Sequence, residues 1–238
     1  MPIVDSVICP ACQGECKLSF TISDTAHTDW VFCKCGTLFQ PDKKTDKKHF
    51  DAAYLKNYTD YKALAERADY FMRLYLPLVR EMTYGRRFLD VGCAFNHNVT
   101  ALAADGWITD SIDLIPSAGN ITGDFEKHDF KNKKYDFILM GRVLESMDNP
   151  IRALVKAKEL LMPRGVLAIV TPDAEIVYEK GMFEFGNWNP DDKWIIFSET
   201  QLGKILTTLG FKVVLSRKDT EKRCIGWNHA HVIAQKVV

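Results

Sequence analysis

From Arg86 onward the chain alternates strand-like and helix-like apolar segments, and this alternation restricts the fold more than any other feature of the sequence. Phe88 to Val91 is followed by a helical stretch, Asn98 to Ala104, and then by Ile108 to Asp113. Phe137 to Met140, a helix from Pro150 to Leu161 and Val166 to Val170 continue the rhythm. Such a βαβ order predicts a parallel sheet with helices on its faces. A helix from about Ser198 to Leu209 stops at Gly210, and Phe211 to Leu215 with His231 to Ala234 then predict a closing antiparallel hairpin.

The 40 or so residues before this region follow a different logic. Five of the seven cysteines (Cys9, Cys12, Cys16, Cys33 and Cys35) lie among the first 35 residues. No apolar run is long enough for a membrane span or a secretory leader, which predicts a cytoplasmic protein whose cysteines are ligands rather than disulfides. Cys9-Pro10-Ala11-Cys12 and Cys33-Lys34-Cys35-Gly36 supply two close pairs, suited to four thiolates around a structural zinc ion. Cys16 is a candidate substitute ligand. A module this small has little core of its own without a metal, and Trp30, Phe32 and Phe39 are expected to form what core it has. The expected divisions are a zinc ribbon at 1–41, a linker and helical lead-in at 42–85, and the α/β domain at 86–238. In the lead-in, Tyr54, Tyr58 and Tyr61 recur at helical spacing and suit either a lid or a core-facing stripe, and Pro77 is a possible break.

Lys and Arg number 31 against 31 Asp and Glu, so nothing in the overall charge draws the molecule to a polyanion. The first fifty residues are also balanced. A nucleic-acid surface would need Lys43, Lys44, Lys47 and Lys48 to meet Lys131, Lys133 and Lys134 in the fold.

Arg87-Phe88-Leu89-Asp90-Val91-Gly92-Cys93-Ala94-Phe95-Asn96 is a short strand entering a small-residue turn before a helix. Such a turn exposes backbone N–H groups at the carboxyl end of a parallel strand. Ala94 and His97 occupy the second and third positions of a G-x-G-x-x-G dinucleotide pattern, which disfavours NAD.

Leu89-Asp90-Val91-Gly92-Cys93 resembles the first motif of class I S-adenosylmethionine-dependent methyltransferases, and further segments match in order. Ile112-Asp113 is similar to the acidic strand end that holds ribose hydroxyls, and Gly123-Asp124-Phe125 to the pair that frames adenine. Tyr135 to Met140 with Val143-Leu144-Glu145 and Asn149-Pro150 resembles the fourth strand and its loop. Leu160 to Leu167, Thr171-Pro172-Asp173, Phe197-Ser198 and Leu209-Gly210-Phe211 complete the pattern.

The resemblance implies a Rossmann-like sheet with the cofactor near Asp90, Gly92, Cys93, Ala94, Asn96, Asp113, Leu114, Asp124, Phe125, Met140, Gly141 and Arg142. It differs from the family at Ala94 and Asn96, where glycine is usual, and at Ser146, where histidine is usual. A histidine is also missing near Trp194. His97 and Glu145 are the remaining candidates for a base. Between Asp113 and Gly123 there are too few residues for the usual helix, so a plain loop is expected. With the ribbon in front, the architecture resembles zinc-containing methyltransferases of sugar and secondary metabolism, and also one group of ribosomal RNA guanine methyltransferases with a four-cysteine zinc module. The expected function is methyl transfer to an O, N or C nucleophile of a small metabolite, with contact from the insertion Gly186 to Trp194. The alternatives are an RNA or DNA methyltransferase and a non-catalytic module that binds zinc and S-adenosylmethionine.

Overall fold

The computed structural model describes residues 6–17, 30–42, 47–51, 53–54, 61–116, 118–180, 192–219 and 229–237. Its centre is a seven-stranded sheet. The strands are β5 (Arg87–Val91), β6 (Ile108–Asp113), β7 (Ile121–Thr122), β8 (Tyr135–Gly141), β9 (Leu161–Pro172), β11 (Phe211–Asp219) and β12 (His229–Lys236). Their spatial order is β11-β12-β9-β8-β5-β6-β7. Strands β7 to β9 run parallel through β6 and β5, and β12 enters antiparallel to both β9 and β11. The closing hairpin is therefore present, with longer strands than the sequence suggested, and its second strand lies inside the sheet.

Period-two alternation sorts the strand residues between two cores. Leu89, Val91, Ile138, Met140, Leu167 and Ile169 pack with α3 (Pro150–Leu160) and α5 (Glu199–Thr208). Phe88, Phe137, Leu139, Val166 and Ala168 face the other way, onto α1 (Tyr61–Met82) and Leu102 of α2 (His97–Ala104). Helix α1 presents Met72, Tyr75 and Val79 to that core at i, i+3 and i+7. Pro77 lies inside α1 without splitting it. At α3, Asn149 accepts a hydrogen bond from the Arg152 N–H at 3.0 Å and Pro150 opens the first turn.

The cysteine region is knitted into this body. β1 (Ser6–Ile8) and β2 (Glu15–Lys17) form a hairpin, while β3 (Val31–Cys33) and β4 (Thr37–Phe39) join β10 (Ile195–Phe197) in a second sheet, ordered β10-β4-β3. Phe39 pairs with Ile195 and Thr37 with Phe197. Trp30 and Leu38 pack against Ala174 and Val177 of α4 (Ala174–Lys180) and against Ile196, and Phe32 stacks on Tyr178 with ring centroids 4.4 Å apart. The expectation that Trp30, Phe32 and Phe39 form a core private to the ribbon is therefore corrected: a module so small completes its core by sharing it.

Between β6 and β7 the described residues form turns without a helix. Ile115 and Ala118 in this connection pack on Cys93, with Phe50 and Tyr54 against them.

Candidate active site

A cavity of about 300 Å³ opens at the carboxyl ends of β5, β6 and β8. Strand order reverses at β5, whose neighbours are β6 on one side and β8 on the other, so the loops leaving β5 and β8 diverge and leave a crevice. The turn after β5 forms one wall. Gly92, Ala94 and Asn96 have φ of 70°, 44° and 58°. Alanine and asparagine thus adopt the left-handed conformation at the two places where the resemblance leads one to expect glycine. Gly92 cannot be replaced so simply, since a Cβ there would lie 2.0 Å from Val143 Cγ1.

Asp113 ends β6 at the cavity. Its Oδ2 accepts from the Ala94 N–H at 3.0 Å and its Oδ1 from the Ile115 N–H at 2.9 Å, which fixes the carboxylate between the two loops. Leu114, Phe125, Gly123 and Gly141 also line the space. A Cβ built on Gly123 or Gly141 meets nothing within 4 Å, so both glycines keep room beside the backbone. Asp124 accepts from Lys47 Nζ at 2.7 Å, and the same ammonium reaches Glu126 at 2.8 Å and Asp148 at 3.0 Å. Burial opposes the Lys47 charge, yet these three carboxylates hold its pKa above the ordinary lysine value. Burial also works against ionised Asp124, and Lys47 outweighs it, leaving that carboxyl below its usual range.

Three residues expected at the cofactor do not line the cavity. Strand alternation turns Asp90 onto the α2 face, where its Oδ2 accepts from Asn98 Nδ2 at 3.1 Å. Met140 points the opposite way, into the core beneath α3. The Asn96 side chain donates instead to the Ala118 carbonyl. Cys93 does line the cavity, but burial, with Asp90 and Asp113 nearby, pushes its thiol up to about 12, which keeps it protonated and unreactive.

At the other end, Glu145 is 1% exposed, in the 3-10 turn Leu144–Ser146 that follows β8. Its Oε2 accepts from Thr171 Oγ1 at 3.0 Å, and its Oε1 is buried with no hydrogen-bond partner among the described residues. Burial raises its pKa against the opposing pull of Lys193, Arg142 and Thr171. His97 also faces the cavity, and burial lowers its pKa.

Two further polar groups of this wall belong to the insertion expected to contact the acceptor. Asp192 and Lys193 are buried and joined at 2.6 Å, and Tyr54 donates to Asp192 Oδ2 at 3.1 Å. Ser146 donates its hydroxyl to the Asp192 carbonyl. His231 reaches the cavity from β12, its Nδ1 2.8 Å from the Tyr75 hydroxyl. No local signal could have revealed His231, because it sits in an apolar strand and is brought to the site only by the antiparallel insertion of β12. Trp194 does not line the cavity; its indole donates to the Met147 carbonyl at 2.6 Å and braces the loop. Tyr58 and Gly186 to Asp191 lie outside the described residues.

The four cysteines Cys9, Cys12, Cys33 and Cys35 converge, all Sγ atoms within 4.8 Å of one another. Cys9 to Cys35 and Cys12 to Cys33 are each 3.7 Å. A tetrahedral zinc site with bonds of about 2.3 Å has sulfur atoms roughly 3.8 Å apart, so the donor set suits zinc. Cys16 stands outside this group, its Sγ 3.9 Å from the Gly14 carbonyl oxygen.

A doubly wound sheet with a cavity at its switch point, an acidic strand end and a turn of left-handed residues defines a class I methyltransferase. The chain belongs to the family described as methyltransferase domain, which matches residues 63–216, and it is an S-adenosylmethionine-dependent enzyme. Among solved structures, it is similar to magnesium protoporphyrin IX methyltransferase from Synechocystis PCC 6803. Identity is 13% over 80% of this chain and 97% of that one, with a TM-score of 0.59. A SAM-dependent methyltransferase from Aquifex aeolicus is 20% identical over 79% of this chain and all of its own, with a TM-score of 0.55. The N-methyltransferase NodS from Bradyrhizobium japonicum WM9 is 18% identical over 75% and 99%, with a TM-score of 0.53. At these identities the likeness is one of fold. No curated protein matches the chain.

Proposed function

We propose that this enzyme methylates an O, N or C nucleophile of a small metabolite, a sugar being the class suggested by one of the two ribbon-bearing groups it resembles. The observation that carries this reading is the polar wall opposite the cofactor loops: Glu145, Asp192 and Lys193 are buried inside a cavity of about 300 Å³, a size for a small acceptor and part of the cofactor. Solved neighbours named for a porphyrin and for NodS support a small acceptor by analogy of fold.

The cofactor supplies a methyl carbon already activated on a sulfonium. Gly92 to Ala94, Asp113, Leu114, Asp124, Phe125 and Gly141 would hold it, with Asp113 offering its remaining lone pairs to the ribose hydroxyls. Holding the acceptor in line, about 3–3.5 Å from the methyl carbon, supplies much of the acceleration. Glu145 Oε1 would take the proton of a hydroxyl or ammonium acceptor, and burial, which raises its pKa, makes it the stronger base. His97 remains the alternative base on the cofactor side.

Three of the lysines that a nucleic-acid surface would need are engaged locally, which supports a small acceptor. Lys47 is surrounded by three carboxylates, Lys133 bonds Asp110 at 2.9 Å, and Lys134 bonds the Glu159 carbonyl at 2.7 Å. Lys133 and Lys134 precede β8, at the amino end of the parallel strands and so opposite the cavity; Lys43 and Lys44 lie outside the described residues. The same cysteine group is read as a structural zinc site, since four thiolates leave no open position.

Thermal unfolding with S-adenosylhomocysteine and with NAD tests the cofactor half of the site. A rise with the first alone is expected, reduced by most of its size in Asp113→Ala. A full response in that variant would place the ribose elsewhere. Gel shifts at low and moderate salt test the acceptor class: tight, steeply salt-sensitive binding would replace the small-metabolite reading with a nucleic-acid one.

A further inference from the structure

Arg142 and Glu145 leave two buried polar atoms of opposite character at the acceptor end of the cavity. Arg142 follows β8 with φ of 59°, and its main-chain N–H donates to the Val170 carbonyl at 2.7 Å. A non-glycine residue in this conformation costs free energy, and the bond to β9 holds it there, fixing where the side chain leaves the backbone. The side chain lines the cavity, yet its Nε is buried, and no hydrogen bond or ion pair engages the guanidinium among the described residues. Glu145 stands three residues on, with Oε1 equally unpartnered and Oε2 pinned by Thr171. The neighbouring charges are occupied: Lys193 by Asp192, and Lys47 by its carboxylates. Buried polar groups without partners are rare and expensive, so a donor and an acceptor left open in one cavity point to a ligand that completes both.

We propose that Arg142 and Glu145 form a bipolar subsite in which Arg142 receives a carboxylate and Glu145 receives the X–H group to be methylated, so that the acceptor is a small hydroxy or amino acid. This deepens the proposed function and rests on it. The acceptor's lone pair forms the new bond to the methyl carbon while the carbon–sulfur bond breaks, its electrons remaining on sulfur as a neutral thioether, and the acceptor's proton passes to Glu145 Oε1. A guanidinium suits the anion because its planar N–H fork matches a carboxylate, which an amide or an ammonium does not reproduce. The amino-acid moiety of the cofactor also carries a carboxylate, so the test must tell the two sources apart.

Calorimetric titration of the wild type and of folded Arg142→Gln with S-adenosylhomocysteine and with methylthioadenosine, which lacks the amino-acid carboxylate, gives the first arm. With methylthioadenosine saturating, glycerate and its neutral amide are then compared. The expected result is that glycerate binds the wild type at least tenfold more tightly than the amide. That preference is lost in Arg142→Gln, retained in part by Arg142→Lys, and accompanied by unchanged S-adenosylhomocysteine affinity. A tenfold loss for S-adenosylhomocysteine, with methylthioadenosine unchanged, would keep the carboxylate site and assign it to the cofactor. The absence of any effect of Arg142→Gln in both arms overturns the proposal. Failure of the wild type to bind either adenosyl compound would instead strike the cofactor reading.

Discussion

Asp90 lies beneath α2 at 2% exposure, with Asn98 as hydrogen-bond donor and Asp113 as a charged neighbour. Burial, reinforced by Asp113, pushes its carboxyl up to about 7, whereas an unfolded aspartate titrates near 4. Below pH 4 both states are protonated and the fold is unaffected. As pH rises from 4 to 7 the unfolded chain releases a proton that the folded chain keeps, so stability falls across this window, by on the order of 4 kcal/mol at its full extent. Asp90→Asn preserves an acceptor for Asn98 and removes the titration. Urea unfolding without cofactor should find this variant more stable than the wild type at pH 8 and nearly equal at pH 4. An unchanged pH profile would mean that Asp90 is ionised in the fold. The same position illustrates how far a motif reads: its carboxylate was legible as part of a cofactor loop, but Asp90 stays within β5 facing α2 while the chain turns out of the strand at Gly92, so Asp90 acts from behind the wall.

At the scale of elements, Asp173 joins what the sequence presents as separate pieces. Fully buried at the end of β9, it accepts from the N–H groups of Glu175 and Ile176 at 3.1 Å and from that of Glu199 at 2.8 Å, capping α4 and α5 together. Asp173→Ala leaves three helix-terminal donors, one buried and two partly buried, without that acceptor, and the expected loss is about 2–3 kcal/mol in urea unfolding. A loss under about 0.5 kcal/mol would show that water replaces the carboxylate. The β and α segments from 86 onward were legible because apolar periodicity and local turn chemistry write them into short windows. The short β10 and the second sheet were not, since Ile195 to Phe197 is read only against Thr37 to Phe39 of β4, far earlier in the chain. The acceptor wall divides in the same way: Asp192 and Lys193 fall within the insertion Gly186 to Trp194 that the sequence singles out, whereas His231 reaches the cavity only through the pairing of β12, which carries no local signature.

In the molecule as a whole, the cysteine region supports one side of the cavity and not the other. Strand β4 begins two residues after Cys35 and pairs with β10. Gln40 donates from its backbone to the Trp194 carbonyl at 2.8 Å and from Nε2 to the Lys193 carbonyl at 2.9 Å, and Ser198 donates to the Gly36 carbonyl at 2.7 Å. The wall made by Asp192 and Lys193 thus hangs on the strand that the four cysteines hold, while Gly92, Asp113 and Phe125 belong to the other end of the large sheet. Because a small metal module derives much of its order from the ion, removing the zinc proposed for these four cysteines should loosen β4 and, through it, the acceptor wall. Metal analysis of the purified protein should give about one zinc per chain, and Cys12→Ser should lower it. In that variant, amide exchange should quicken at Lys193 to Phe197 and remain slow at Phe88 to Val91, with S-adenosylhomocysteine affinity held within about twofold. Faster exchange confined to residues 6–17 would detach the cysteines from the acceptor wall, and full zinc content after Cys12→Ser would remove Cys12 from the ligand set.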